Sequence, residues 1–588
     1  DGREVSSTWI LDAEMGDIAS VTLLKDAAAT ASFGASGGVG AVIITTVTPL
    51  EGKPAIAYDY SLAADLPYRA PWARNIAAHH HLLRFDGGTP TFRYGLSAFS
   101  RQTPGMERGT ERNRAGGNLH LSYQAGDLLI ENRLAILHAD GKVENAEWRE
   151  NRDYTETSDA IAVNWHPGKW SLDGSFRYSR QKGDGETRGD YSLSTNDPGD
   201  TIFITMSFLR SDYIATTKHA NLTILRAVAA GDHSLDAALG ADLKWAKARE
   251  TTHTSGWMAG IYDEFTGKTS MKINSRSAFA SLNYAYLQRY LLDVSASLEA
   301  SSTFAATNAR AWAIGAAWNI HGEPGMANSP FTVLRLRANI GNTARVSADD
   351  PWDWEKVRNT DVGADAALAD GRLSLTANYY HKVAKTIFYV NTPSFPYATL
   401  YDVIDEGYEL AAKWHATLGR RTTLAISGNL VHDKCSIGES YSLSSVAPAV
   451  PVDEQPKVEA TLGAHLRYRR FTFQASCYAR LGGHYNTTTS LISLLESGGS
   501  ATRLAGSRWN PAGQDPVAAT PSTSRVYTRH SNNFLELRSL HLAYDVPVPR
   551  ISARSLRVAV IANDIFRTSS FDPAPGARSV TCSLGATF

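Results

Sequence analysis

The chain runs to 588 residues, and its 58 Lys and Arg stand against 59 Asp and Glu. That length admits several soluble domains or one large closed sheet, while the balanced charge lacks the basic surplus a nucleic-acid partner calls for. Cys435, Cys477 and Cys582 are too scattered for a disulfide framework or a zinc site, and no run of about 18 apolar residues offers a spanning helix.

In chain order, residues 17–31 read as a short strand followed by an Ala-rich helical stretch, 33–40 as a glycine-rich loop and 41–46 as a second strand. Phosphate cradles run strand, loop, helix, with the helix amino terminus facing the phosphate. Here the helical stretch precedes the loop and no Lys-Ser/Thr follows the glycines, so a nucleotide site is not expected. The glycines instead let a loop turn tightly against neighbouring backbone. Next come His79, His80 and His81. Consecutive strand residues point to opposite faces, so the three cannot converge on one ion; a solvated strand end is expected, and no metal site.

Further on, Tyr290, Leu292, Val294, Ala296 and Leu298 alternate with Leu291, Asp293, Ser295, Ser297 and Glu299, which puts acidic groups on the inward face of a strand of about ten residues. Such a strand, tilted, spans a bilayer. Asp349, Asp350, Trp352, Asp353 and Trp354 form an acidic aromatic cluster in an expected loop. Its carboxylates suit calcium and its rings suit a sugar face; the plainer alternative is an interfacial tryptophan beside solvated acids. Asp370-Gly371 marks a hairpin turn before the alternating residues 373–380, and Arg469-Arg470 turns a second hairpin between 460–468 and 471–481. The chain ends on Val580, Cys582, Leu584, Ala586 and Phe588 sharing one face, a strand that finishes in an aromatic residue.

These strands run nearly twice the five or six residues usual in soluble sheets. The expected fold is therefore all-β, a large antiparallel transmembrane barrel with an apolar outside and a wet lumen; a soluble sandwich or propeller is the alternative. Aromatic residues make up 10% of the chain, and Trp312, Trp318, Tyr379, Tyr380, Tyr468 and Phe588 fit interfacial girdles. No metalloprotease helix or nucleophile elbow is present, so neither an enzyme nor a cofactor is expected.

The segment 18–46 resembles the second half of the plug of SusC-like (RagA-like) TonB-dependent outer-membrane transporters, through Ile18, Val21, Leu24, Lys25, Asp26, Ala27, Ala29, Ala31, Gly34, Gly37, Gly40, Val42, Ile44, Thr45 and Thr46. It departs at Phe33, where the family has tyrosine, and at Ser36, where it has arginine. Further likenesses run through Gly407-Tyr408-Glu409-Leu410 and 534–540 to the final strand. The resemblance implies about 22 strands, with residues 1–50 as the carboxy-terminal half of an α/β plug and 51–588 as the barrel. Lys25, Asp26, Gly34, Gly37 and Gly40 would be its plug motif; beside it, the residues themselves offer Asp350, Trp352, Asp353 and Trp354 as a ligand-contacting loop and Phe588 as the signal of the closing strand. It also implies import of oligosaccharides or peptides with a SusD-like lipoprotein, powered by a TonB-ExbB-ExbD motor where a TonB box precedes this sequence. Because the family's earlier plug half is missing before Asp1, a fragment, a processed form or a reduced-plug variant is expected. The reduced-plug form would serve as a structural or assembly subunit among other outer-membrane proteins, surrounded by outer-membrane lipid.

Overall fold

The computed structural model describes residues 13–24, 40–67, 76–105, 110–144, 148–189, 191–194, 201–258, 261–302, 308–346, 354–392, 395–442, 456–490, 525–531, 533–548, 553–569 and 577–588. Nearly all of them are strand, and none of the described helices is long and apolar enough to cross a membrane. The main sheet has 23 strands. One, Tyr191–Ser194, pairs only with the upper end of Thr201–Ala230. The other 22 close a ring: Thr201–Ala230 also pairs with Trp170–Gly189, and the last strand, Ala577–Thr587, pairs with the first, Gly52–Pro67. Every pairing is antiparallel, so each strand finds both hydrogen-bonding neighbours within the ring, the condition for a sheet to sit in hydrocarbon.

Burial along the wall is the reverse of a soluble protein's. On the strand Tyr290–Ser301, Leu298 is 56% exposed, whereas Ser297 and Glu299 on either side are 4% and 9% exposed. Neighbouring strands carry the same face onward, with Trp318 opposite Tyr290 and Trp312 opposite Ala296. The apolar face therefore points out all along this wall and the polar face points in. Its backbone ladder and the medium around it hold the wall together.

One end of the ring is built from tight turns. Ala369, Asp370 and Gly371 all have positive φ, as the Asp-Gly signal requires, and Arg469 has φ 55° between Val458–Tyr468 and Phe471–Leu481. Outward aromatics gather near this end. Tyr286 stacks on Tyr290 at 6.3 Å and Tyr290 on Trp318 at 6.5 Å, while Glu323 accepts from Tyr290 Oη (2.8 Å), Trp318 Nε1 (3.0 Å) and Arg289 Nη1 (3.1 Å). Tyr468, Tyr379 and Phe588 also face outward, the second packed on Tyr408 at 5.1 Å. Tyr380 departs from the expected girdle: its hydroxyl donates inward to Asp433 at 2.6 Å, because adjacent strand residues cannot share a face. The histidine run departs too. It lies mid-strand in Ile76–Gly88, with His79 and His81 hydrogen-bonded to Tyr60 and Tyr58 on one face and His80 on the other.

A separate two-stranded sheet, Ile18–Leu24 with Ala41–Thr46, stands apart from the ring. Ala41–Thr46 is a strand as expected, and Ile18–Leu24 supplies the short strand expected within residues 17–31.

Candidate functional site

The small sheet is held to the inner wall of the ring through the turn that precedes it. Met15–Asp17 forms a single 3-10 turn capped by Glu14, whose carboxylate accepts the Gly16 N–H at 3.1 Å. Asp17 then meets one register row of the wall, since Arg84, Ser97 and Asn118 are direct cross-strand partners. The Arg84 guanidinium donates to the Asp17 carboxylate and to the Gly16 carbonyl; Ser97 Oγ donates to Asp17 at 3.2 Å and Asn118 Nδ2 at 2.5 Å. A carboxylate taking three donors, one of them charged, is a strong anchor in a partly desolvated place.

Two further ties fix the sheet. His80 Nε2 lies 2.9 Å from Glu14 Oε2, and the Val47 N–H donates to the Asp17 carbonyl at 2.8 Å. Burial alone would raise the Glu14 carboxyl, but the His80 hydrogen bond, the Gly16 N–H and the positive charges of His80 and Arg101 outweigh it and hold the group below its ordinary range.

Between this sheet and the wall lies a cavity of about 1130 Å³. Its lining is largely apolar surface set with seven carboxylates against four Lys and Arg side chains, so its charged groups carry an acidic excess. Several of these groups pair across strands: His120 with Glu131 at 3.0 Å, Arg177 with Glu156 at 3.5 Å and His219 with Asp242 at 2.5 Å. No cluster of three or more metal-ligating side chains occurs among the described residues.

The expected site residues are distributed unevenly. Lys25, Asp26, Gly34 and Gly37 lie outside the described residues, as do Asp350, Trp352 and Asp353. Gly40 has φ +106°, and a Cβ there would come 2.8 Å from the Leu24 carbonyl, so the close approach expected of this loop occurs at its last glycine. Trp354 opens the strand Trp354–Leu368 instead of lying in a loop; it is 5% exposed, packed on Ala309 and Ala344, and lines the cavity. Phe588 is 47% exposed, and its N–H donates to the Ile56 carbonyl at 2.8 Å, joining the chain's end to the first strand. Asp17, Arg84, Ser97 and Asn118 escape sequence analysis. Alternation marks the last three as inward but names no partner for them.

A closed ring with its apolar face outward, wrapped around a cavity set with charged groups and an inner sheet, is the geometry of an outer-membrane receptor. Residues 64–558 match the family described as TonB dependent receptor-like, beta-barrel. The chain belongs to that family. It is an integral outer-membrane protein, its tight-turn end facing the periplasm. Among solved TonB-dependent receptor-like barrels, the fold is similar to the RagAB peptide transporter (TM-score 0.83, 13% identity, 100% of this chain and 92% of that one). It is also similar to the ferric citrate transporter FecA in its unliganded form (TM-score 0.66, 11% identity, 98% of this chain and 85% of that one). The TonB-dependent receptor P26 of Formosa agariphila is 29% identical over 140 residues, 18% of this chain and 14% of that protein's length.

Proposed function

We propose that this receptor imports a nutrient oligosaccharide or peptide across the outer membrane as a SusC-like transporter, with a SusD-like lipoprotein at its outer mouth and the TonB-ExbB-ExbD motor below. In this proposal residues 1–50 are the carboxy-terminal half of the plug and 51–588 the barrel. The observation that carries it is the seat of the inner sheet: Asp17 holds it to the inner wall beside a cavity through a few hydrogen bonds, a tie of the kind a motor could break without unfolding the wall. The likeness to RagAB and the plug motif support the same reading. No covalent step is involved. The acidic excess of the lining disfavours a strongly anionic cargo.

The test is uptake by cells expressing the receptor with its neighbouring surface lipoprotein, challenged with neutral oligosaccharides, polyanionic oligosaccharides and peptides. Accumulation of one class that stops when the motor is deleted is the expected result. Uptake that ignores the motor, or no uptake beside several unrelated co-purifying subunits, would overturn it in favour of an assembly role.

A further inference from the structure

Three neighbouring strands of the ring, Thr201–Ala230, His233–Met258 and Ile261–Tyr286, are 30, 26 and 26 residues long, far more than a bilayer needs. Their outward face is apolar near the periplasmic end, with Leu222, Ile224, Leu239 and Leu243 exposed. Farther up, the same face turns basic. Lys218 sits between Tyr178 and Trp245; in the next row Thr216 faces both Arg180 and Lys247, and Lys247 directly faces Lys272; one row higher, Ile214 faces Lys182 and Arg249.

The level of this patch follows from the strand numbering. Arg180 comes ten residues after Trp170, and Lys247 fourteen after His233, both strands starting at the periplasmic end. A strand tilted by about 40° climbs roughly 2.5 Å per residue, which places these charges roughly 25 to 35 Å up, at and just above the top of an apolar belt about 25 Å tall. Tyr178 and Trp245 mark that upper edge as interfacial aromatics do.

Opposing Lys247 and Lys272 directly across a strand pair is unfavourable unless an anion lies between them. Among the described residues, none of the six basic side chains has an acidic partner within ion-pair distance. The carboxylates in the tier above, Asp184 and Asp212, face each other, and Asp212 is engaged by Arg210 at 3.8 Å. The patch faces away from the lumen, so no cargo in transit touches it.

We infer that this patch, centred on Lys218, Lys247 and Lys272, is a docking site for the phosphorylated headgroup of an outer-leaflet lipid. Its position at the bilayer edge favours a headgroup over a soluble anion, because only a lipid delivers phosphate to that level while its acyl chains cover the leucines below. Long lysine and arginine stems suit the place: their methylenes lie along the belt and their charged ends reach the phosphate plane.

The experiment is native mass spectrometry of the full receptor in detergent, titrated with diphosphoryl lipid A, its dephosphorylated counterpart and a soluble sugar phosphate. The phosphorylated glycolipid should remain bound to the wild type, and Lys218→Glu/Lys247→Glu/Lys272→Glu should lower its occupancy at least tenfold. Lys169→Glu/Arg372→Glu, in the periplasmic turns, should leave occupancy unchanged. Equal occupancy in the triple variant, an equal loss from the periplasmic variant, or equal binding of either other ligand would overturn the assignment. Should the charge reversals fail to give the compact, heat-modifiable form on gels, Lys218→Gln/Lys247→Gln/Lys272→Gln is read the same way, with a several-fold loss expected.

Discussion

On the strands Ile76–Gly88, Phe92–Pro104 and Glu111–Ala125, the inward row of Arg84, Ser97 and Asn118 is taken up by Asp17 of the same chain. Farther round the ring, on Thr201–Ala230 and His233–Met258, the inward His219 pairs through Nε2 with Asp242 and both line the cavity. Both sectors follow one rule of construction, polar in and apolar out. They differ in what answers the polar groups: the turn before the inner sheet in the first, a neighbouring strand in the second. One sector is thus a seat and the other a lining, and substitutions should separate the two.

The largest effect should come from breaking what both sectors share. Val294, four residues above the girdle at Tyr290, lies in the outward belt. Val294→Arg should cost about 2–4 kcal/mol of folding stability near the bilayer midplane, read as a shift in urea titrations of the receptor folded into liposomes. Next comes the seat. Asp17→Ala leaves the Arg84 guanidinium without its carboxylate, and the lost charged hydrogen bonds are worth roughly 1.5–3 kcal/mol. Hydrogen exchange in Ile18–Leu24 and Ala41–Thr46 should speed up on the order of 10- to 100-fold, since each factor of ten corresponds to about 1.4 kcal/mol. His219→Gln/Asp242→Asn, in the lining, should leave that exchange unchanged. If both variants speed it equally, the distinction between seat and lining is lost.

What the sequence reveals of this molecule follows from the range of the interactions. The outward face of Tyr290–Ser301 and the turns at Asp370-Gly371 and Arg469-Arg470 are local, the first and last set by period two and the middle one by a dipeptide tolerant of positive φ, and the structure has them as read. Ala41–Thr46 is likewise the strand its residues suggest, whereas the end of Ile18–Leu24 is set by its pairing with that strand. The seat is not, because Asp17 finds partners 67, 80 and 101 residues away, and alternation assigns a face without assigning a neighbour. Trp354 shows the same limit: flanked by acids, it suggests a loop in sequence, yet pairing with Val346 and packing on Ala309 and Ala344 make it the start of a strand. The basic patch needs the registers of four strands before Arg180, Lys218, Lys247 and Lys272 meet.

A smaller effect tests the seat from its backbone. Gly40 begins the return strand of the inner sheet with φ +106°, its Cα hydrogen side against the Leu24 carbonyl. Gly40→Ala should cost about 1–2 kcal/mol, the usual penalty for a side chain in left-handed backbone. Exchange should quicken in Ala41–Thr46 while urea titration of the barrel stays where it was. A change confined to the barrel would mean that the inner sheet does not depend on this approach.

The smallest effect is one of pH. The Glu14 carboxyl is held below its ordinary range by the His80 hydrogen bond, the Gly16 N–H and the charges of His80 and Arg101, which outweigh burial. A depressed carboxyl contributes stability that is complete above its unfolded pKa and is lost as the pH falls through the folded one. Acidification into and below the ordinary glutamate range should therefore loosen the inner sheet progressively, while at neutral pH the tie is intact. Because the pair is partly hydrated, its contribution is on the order of 1 kcal/mol or less. Exchange of Ile18–Leu24 followed from neutral to acidic pH should show this loosening in the wild type and a flatter profile in Glu14→Gln. A Glu14→Gln profile as steep as the wild type's would mean that the Glu14–His80 tie does not carry the acid sensitivity of the seat.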